Sequence, residues 1–324
     1  MLTSKANTFC LYKILFDYSD ADNILTRKQI EEKLLSEYGL EFDRRTLKSS
    51  LLTLEDMGFE ISFYEDNKKG YYLMSRDFDP SEVRVLIDSV YFNSSIPKKQ
   101  TEDLVKKLQL LLPMPKRKKY KNLTIASSTK KTINKEMFYN IDILDEAISD
   151  CKRVEFTYLH YNFKKQLVPK RKEKYLVSPY ALIAAKEHYY LIGKYDNYDS
   201  FAHFRIDKIK DIEILSDKFK KTDDFDISRY ADINTMMHRG ECISAQFKCK
   251  NYVLDYLIDE FGQNARILEN DDGETFTATV SGTFDGLRIW AMHYLDCTEV
   301  LEPQDLREEM LKIINENMYV EGIK

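Results

Sequence analysis

Apolar residues recur every three or four positions through the first third of the chain, then at every second position further on. That change of period separates helices from strands. Phe9, Tyr12, Leu15 and Phe16 stand at helical spacing. Thr26 is placed to cap a second helix, which carries Ile30, Leu34 and Leu35 and stops near Gly39. Asp43 suits the start of a third, whose stripe is Leu47, Leu51 and Leu54 and which Gly58 ends. Alternation then sets in over residues 59–64 and 71–74, around the polar turn Asp66-Asn67-Lys68-Lys69-Gly70. Three helices followed by a hairpin are the layout of a winged helix-turn-helix.

With the leucine stripe inward, the third helix turns Arg45, Lys48 and Ser49 outward, with Arg44 and Thr46 in its first turn. Arginine fits the guanine edge with two hydrogen bonds, while lysine and small hydroxyls suit phosphates or mixed edges. Lys68 and Lys69 would lie in the wing and reach backbone phosphates. Leu52 also projects outward, toward a thymine methyl or neighbouring helices.

Two more amphipathic helices follow. One is capped by Asp79 ahead of Pro80, and the other spans 100–112 with Leu104, Leu108 and Leu111. Pro113 and Pro115 interrupt the pattern and open a polar, basic connector. A helix over 138–149, with Ile141, Leu144 and Ile148 inward, leads into a strand at 154–158. Residues 175–183, 188–194 and 201–215 are alternating apolar runs. They are parted by Ala185-Lys186-Glu187 and Asp196-Asn197-Tyr198-Asp199, which are short enough for hairpins. A small antiparallel barrel or sheet is predicted there. After residue 224 the pattern reads β-α-β-β-α-β with a closing helix, the ferredoxin-like order. The expectation is an α+β multidomain protein with segments 1–77, 78–150, 151–222 and 223–324.

Composition narrows the function classes. The 324 residues include 22 Tyr and 18 Phe but only 10 Gly and 7 Pro, which suits compact domains rather than a disordered chain. Apolar runs fall far short of the roughly 18 residues that span a bilayer. The first residues lack a signal-peptide pattern, so a cytoplasmic protein with no membrane partner is expected. Cys10, Cys151, Cys242, Cys249 and Cys297 show no metal-ligand spacing, and the histidines are scattered, so neither metal nor cofactor is expected. There is no Walker loop, no Gly-x-Gly-x-x-Gly after a strand and no nucleophile elbow. No catalytic residues are assigned. The net charge of -5 hides an asymmetry: residues 97–136 and 164–174 are lysine- and arginine-rich, while the chain beyond about 211 is acidic.

Two blocks of sequence resemble a known family. Tyr189-Tyr190-Leu191 stands where WYL domains, the ligand-sensing modules of bacterial transcription regulators, carry Trp-Tyr-Leu. Phe204-Arg205-Ile206-Asp207-Lys208-Ile209 is similar to their Phe-Arg-x-Asp-Arg-Ile block. Tyr replaces Trp at 189 and Lys replaces the second Arg at 208. The N-terminal segment looks like the winged helix that precedes such domains, through Arg44, Arg45, Thr46, Gly70, Tyr71 and Leu73, with Ser49-Ser50 where Arg-Asp is common. The stretch from Cys242 to Tyr319 resembles the extension that often follows them.

The resemblance implies an SH3/Sm-like β-barrel whose basic block contacts a ligand. Tyr158, Arg171, Ser178, Tyr180, His188, Tyr190, His203, Arg205 and Lys208 form the expected ligand set, with Lys170 beside them. Arginine, lysine and tyrosines together favour a phosphate-bearing, stackable ligand such as a nucleotide or single-stranded nucleic acid. The alternative for Arg205 is a surface ion pair with Asp207 or Asp211. The expected function is a homodimeric transcription regulator, a repressor, that binds a double-stranded operator under control of that ligand. The rival readings are a nucleic-acid-binding accessory protein and a nucleotide-acting enzyme.

Overall fold

The computed structural model describes residues 6–117, 131–195, 200–222, 226–227, 230 and 242–318. The expected turn at 196–199 and Lys118, Lys119, Lys121 and Lys130 of the basic connector lie outside the described residues. The chain is a mixed α/β protein that divides into two compact units, Met1–Ile133 and Asn134–Lys324.

The first unit begins with α1 (Ala6–Tyr18), α2 (Arg27–Tyr38) and α3 (Arg44–Asp56). The sequence signals at their ends hold. Thr26 and Gln29 form a capping box, Gly39 closes α2 with φ 66°, and Asp43 accepts the Thr46 amide at 2.7 Å. Leu47, Leu51 and Leu54 are buried as expected. The stripe on α1 is displaced from its expected place: Cys10, Leu11, Ile14 and Leu15 are buried, and Phe9 is 64% exposed. From Phe9 to Phe16 every residue but Lys13 is apolar, so the three-helix packing decides which face turns inward. Leu35 is likewise 52% exposed rather than buried.

The expected hairpin shrinks to β1 (Ile61–Ser62) and β2 (Tyr72–Leu73), paired antiparallel. A short helix, α4 (Tyr64–Asn67), takes the rest because Asp66 accepts the Phe63 amide at 2.8 Å and Lys68 turns left-handed at φ 56°. Leu25 bridges to Tyr71 and adds a third, single-residue rung. Gly70 has no room for a Cβ, which would meet the Leu25 carbonyl. Further on, α5 (Pro80–Phe92) and α6 (Lys98–Gln109) close a small core of Val83, Ile87, Val105 and Leu112. Part of the basic run is engaged internally: Arg117 pairs with Asp17 at 2.6 Å, and Lys116 lies 3.5 Å from Asp20.

The second unit opens with α8 (Met137–Ser149), after the one-turn α7 (Met114–Arg117) of the first unit. The helix buries Met137, Asn140, Leu144 and Ala147, so the inward stripe includes an asparagine that apolar periodicity passed over. A curled sheet follows: β3 (Lys152–Tyr161), β4 (Leu167–Pro169), β5 (Tyr175–Ala185), β6 (His188–Tyr195), β7 (Ala202–Arg205) and β8 (Ile209–Lys218). The order is β4-β3-β5-β6-β7, and β8 returns to pair with β3. Phe156, Val177, Leu191 and Phe204 fill its interior, with Phe156 and Phe204 edge to face at 5.3 Å. A second sheet of β9 (Cys242–Lys250), β10 (Arg266–Glu269), β11 (Thr275–Thr283) and β12 (Thr298–Glu302) has the order β10-β11-β9-β12. Its strands alternate with helices Leu254–Phe261 and Phe284–His293, and Gln304–Asn315 follows. Among the described residues no helix is long and apolar enough to cross a membrane.

The run 201–215 is not one strand. It breaks at Ile206–Lys208 into a 3₁₀ turn between β7 and β8. Inward carbonyls of that turn and of Ile209 need donors. The buried Asn140 amide supplies them to Ile206 and Ile209 at 3.4 and 2.9 Å, and the Asn134 amide to Asp207 and Ile209 at 3.0 and 2.8 Å. Asn140→Ala should therefore remove one of two side-chain donors to the Ile209 carbonyl and the longer bond to Ile206, and cost about 0.5–1.5 kcal/mol in chemical denaturation, above the effect of an exposed α8 substitution such as Asp142→Ala. Equal effects of the two would show that the turn holds without the amide.

Candidate functional site

The turn at 206–208 carries the candidate site. Arg205 ends β7, and its Nε and Nη2 donate to the two carboxylate oxygens of Asp207 at 3.0 and 2.8 Å. The ion pair offered by the sequence as one alternative is thus present, yet it is not a surface pair, because the Asp207 side chain is only 2% exposed. The forked edge that would grip a phosphate is occupied. Burial acts against the Arg205 charge, but the bond and charge of Asp207 outweigh it and raise the pKa.

Other members converge from neighbouring strands. Tyr190 of β6 is the register partner of Arg205. The Tyr158 hydroxyl of β3 accepts the Arg205 backbone amide at 3.1 Å. Burial pushes the Tyr158 phenol up to about 12, against the lowering effect of that hydrogen bond and of the Arg205 charge. His188 follows the two-residue turn Lys186-Glu187, both with positive φ, and its ring lies 6.3 Å from that of Tyr190. Lys208 is half-buried, and its Nζ stands 6.0 Å from the Tyr161 ring centroid. Its pKa is lowered by burial first and by the Arg205 charge second. Among the described residues no carboxylate pairs with it. The Arg205–Asp207 pair is neutral, so Lys208, with Lys170 acting on it in the same sense as Arg205, carries uncompensated positive charge.

The remaining expected residues lie elsewhere in the sheet. Arg171 stacks over Tyr175 at 3.6 Å and donates to the Lys174 carbonyl. Ser178 sits on β5 opposite Lys194. Tyr180 is buried, edge to face with Phe201 at 4.8 Å, and serves the core. His203 shares a 2.7 Å hydrogen bond with the Tyr230 hydroxyl. Asn134, Asn140 and Tyr161 belong to the site or its support without having been expected there. For the asparagines the only signal in the sequence is a polar residue inside or just before an apolar helix stripe.

In the first unit, Arg44, Arg45, Lys48 and Ser49 are exposed on α3, and Thr46 is half-buried where Asp43 caps the helix. Leu52 is 42% exposed on the same side, as expected. Lys68 and Lys69 are exposed, but the Lys68 ammonium donates to the Glu65 carbonyl at 2.6 Å, so Lys69 is the freer of the two.

The sequence model of the WYL domain matches residues 139–214. The chain contains a WYL domain. It takes in all nine residues of the expected ligand set, and the Arg205–Lys208 block lies near its end. No curated protein matches the sequence. Solved structures similar to the chain include proteasome accessory factor B/C (PafBC) of Arthrobacter aurescens, at 16% identity and TM-score 0.29, covering 96% of this chain and 46% of that one. A CRISPR Cas-related protein is similar at 13% identity and TM-score 0.38, covering 99% of this chain and 84% of the other. The chain spans about half the length of the PafBC structure.

His188 gives the WYL domain a pH dependence with a definite sign. Burial, then the positive charge of Arg205, lowers its pKa below the ordinary 6.5, with Lys208 acting the same way and Asp207 and Glu187 opposing. The folded ring therefore stays neutral while an unfolded chain begins to protonate. No stability is lost above 6.5, and stability falls as the pH drops below it toward the folded value. An anion bound beside Lys208 would favour the protonated ring, so binding takes up a proton. Sulfate, which stays dianionic over this range, should bind more tightly at about pH 6 than at about pH 7.5, and His188→Gln should flatten that difference. Calorimetry in buffers of different ionisation enthalpy measures the proton uptake; identical uptake in the variant would remove His188 from the effect.

Proposed function

We propose that this chain is a DNA-binding transcription regulator, acting as a dimeric repressor, whose operator affinity is set by a nucleotide or single-stranded nucleic acid at the WYL domain. The observation that carries the reading is the exposed face of α3. Four polar residues, Arg44, Arg45, Lys48 and Ser49, stand together opposite a fully buried leucine stripe. They occupy the start of a capped helix, where side chains meet base edges and the helix end favours phosphate. The same chain carries a half-buried, uncompensated lysine in a WYL domain, which suits an anionic effector.

In this reading residues 1–77 are a winged helix-turn-helix, with the Leu25–Tyr71 rung and the β1–β2 pair as its small sheet. Residues 78–150 form the helical bridge and 151–222 an SH3/Sm-like barrel closed by β8 on β3. Residues 223–324 are ferredoxin-like, as the strand order β10-β11-β9-β12 supports. A single reading helix covers one half-site, so a two-fold operator calls for a homodimer.

Selection from a pool of random duplexes tests the proposal. Wild type should enrich an inverted repeat, and Arg45→Ala should cost about 1–3 kcal/mol on that sequence while binding unrelated duplexes nearly as before. Lys69→Ala should weaken all duplexes evenly and reduce the slope of log K against log salt by about 0.9. Failure to enrich any duplex would overturn the regulator reading, and an inert Arg45→Ala would remove α3 as the reader.

A further inference from the structure

The β3–β4 hairpin combines features that neither the core nor the Arg205 group uses. Phe163 at its tip is 109% exposed, and Tyr161, two residues earlier, is 46% exposed. Lys164 and Lys165 beside Phe163 are exposed too. From Phe156 to Lys172 the chain carries five basic residues and no acidic one. The tip is also firmly built. The Asn162 carboxamide oxygen accepts the Lys164 and Gln166 amides at 3.0 and 2.9 Å, and the Asn162 amide donates to the Gln166 carbonyl at 3.0 Å. Lys165 is held left-handed at φ 60°. A fully exposed phenyl ring on a preorganised turn forfeits burial, and fixing it in advance lowers the ordering cost of any partner that stacks on it.

Continuity decides what that partner is. The Tyr161 ring stands 6.0 Å from the Lys208 ammonium, so the hairpin leads directly out of the site described above. We infer that the hairpin is a second binding element for single-stranded nucleic acid, in which Phe163 stacks on a base and Lys164 and Lys165 hold phosphates of a strand that continues from Lys208 past Tyr161. A single strand offers bases to rings and phosphates to ammonium groups, the two kinds of group that the exposed Tyr161, Phe163, Lys164 and Lys165 present. An isolated mononucleotide at Lys208 would leave the tip unused. The inference rests on the anionic-ligand reading of the WYL domain and makes its ligand an oligonucleotide.

The test uses the full chain and three probes: a labelled oligothymidylate of about 12 nucleotides, thymidine monophosphate, and an acidic glutamate peptide. Phe163→Ala should weaken the oligonucleotide by roughly 5–150-fold and leave the mononucleotide unchanged, while Phe163→Trp keeps both. Lys164→Ala with Lys165→Ala should lower the salt slope for the oligonucleotide by about 1.4, or about 0.7 per lysine. Lys208→Ala should weaken both nucleotide probes. If Phe163→Ala stays within about twofold of wild type on the oligonucleotide while Lys208→Ala weakens it, the hairpin inference falls and the site reading stands. If wild type binds neither nucleotide probe, both fall. An acidic peptide that binds with the same dependence on Phe163 would make the hairpin a protein-docking element and overturn the assignment.

Discussion

Two buried asparagine side chains hold the WYL domain's site in place. The three-residue 3₁₀ turn closes the Ile206 carbonyl on the Ile209 amide, but the carbonyls of Asp207 and Ile209 take donors from outside the turn, where Asn140 is fully buried and water is excluded. The amides of Asn134 and Asn140 fill that need, and both reach the Ile209 carbonyl. Asp207 is thereby turned inward at the middle of the turn, and a carboxylate buried to that degree persists only when it is paired. Arg205 is the partner. The asparagines fix the turn, the turn fixes the carboxylate, and the carboxylate fixes the guanidinium.

How much of this was legible in the sequence depends on where each signal lies. The third helix could be read because its cap, its leucine stripe and its exposed basic residues all lie within about four turns, and each agrees with the others. The first helix could not be oriented, since Phe9 to Phe16 offer two apolar faces and only contact with α2 and α3 chooses between them. The turn inside 201–215 was invisible for a different reason. Ile206, Asp207 and Lys208 continue the alternation of β7, and the donors that bend the chain there sit about seventy residues earlier, at 134 and 140. Local pattern carries no trace of a bond that long.

The candidate site was legible as a composition and not as a geometry. Tyr158, His188, Tyr190, Arg205 and Lys208 come together because β6 pairs with β7 and the return of β8 to β3 brings the Tyr158 hydroxyl to the Arg205 amide. Tyr180 was expected with them, but β5 carries an irregularity between Pro179 and Ala181. Tyr180 accordingly packs against Phe201 and Phe219. A bulge changes which face a residue joins, and a plain two-residue period cannot anticipate one.

The consequence for ligand recognition follows from magnitudes. An anion that displaced Asp207 from Arg205 would break a buried charge pair, a loss of about 3–5 kcal/mol for pairs of this kind. One that approaches without disturbing the pair avoids that cost. It meets a guanidinium whose Nε and Nη2 are already taken, in an orientation set before binding. Preorganised donors of this sort contribute direction more than net charge. The charge comes from Lys208, whose ammonium is kept from carboxylates, partly dried by burial and held close to the positive Arg205. An arriving phosphate relieves that repulsion as well as adding its own attraction. In the proposed reading, lysine at 208 would be a compact charge that neutralises the anion beside an arginine whose orientation Asp207 has already set.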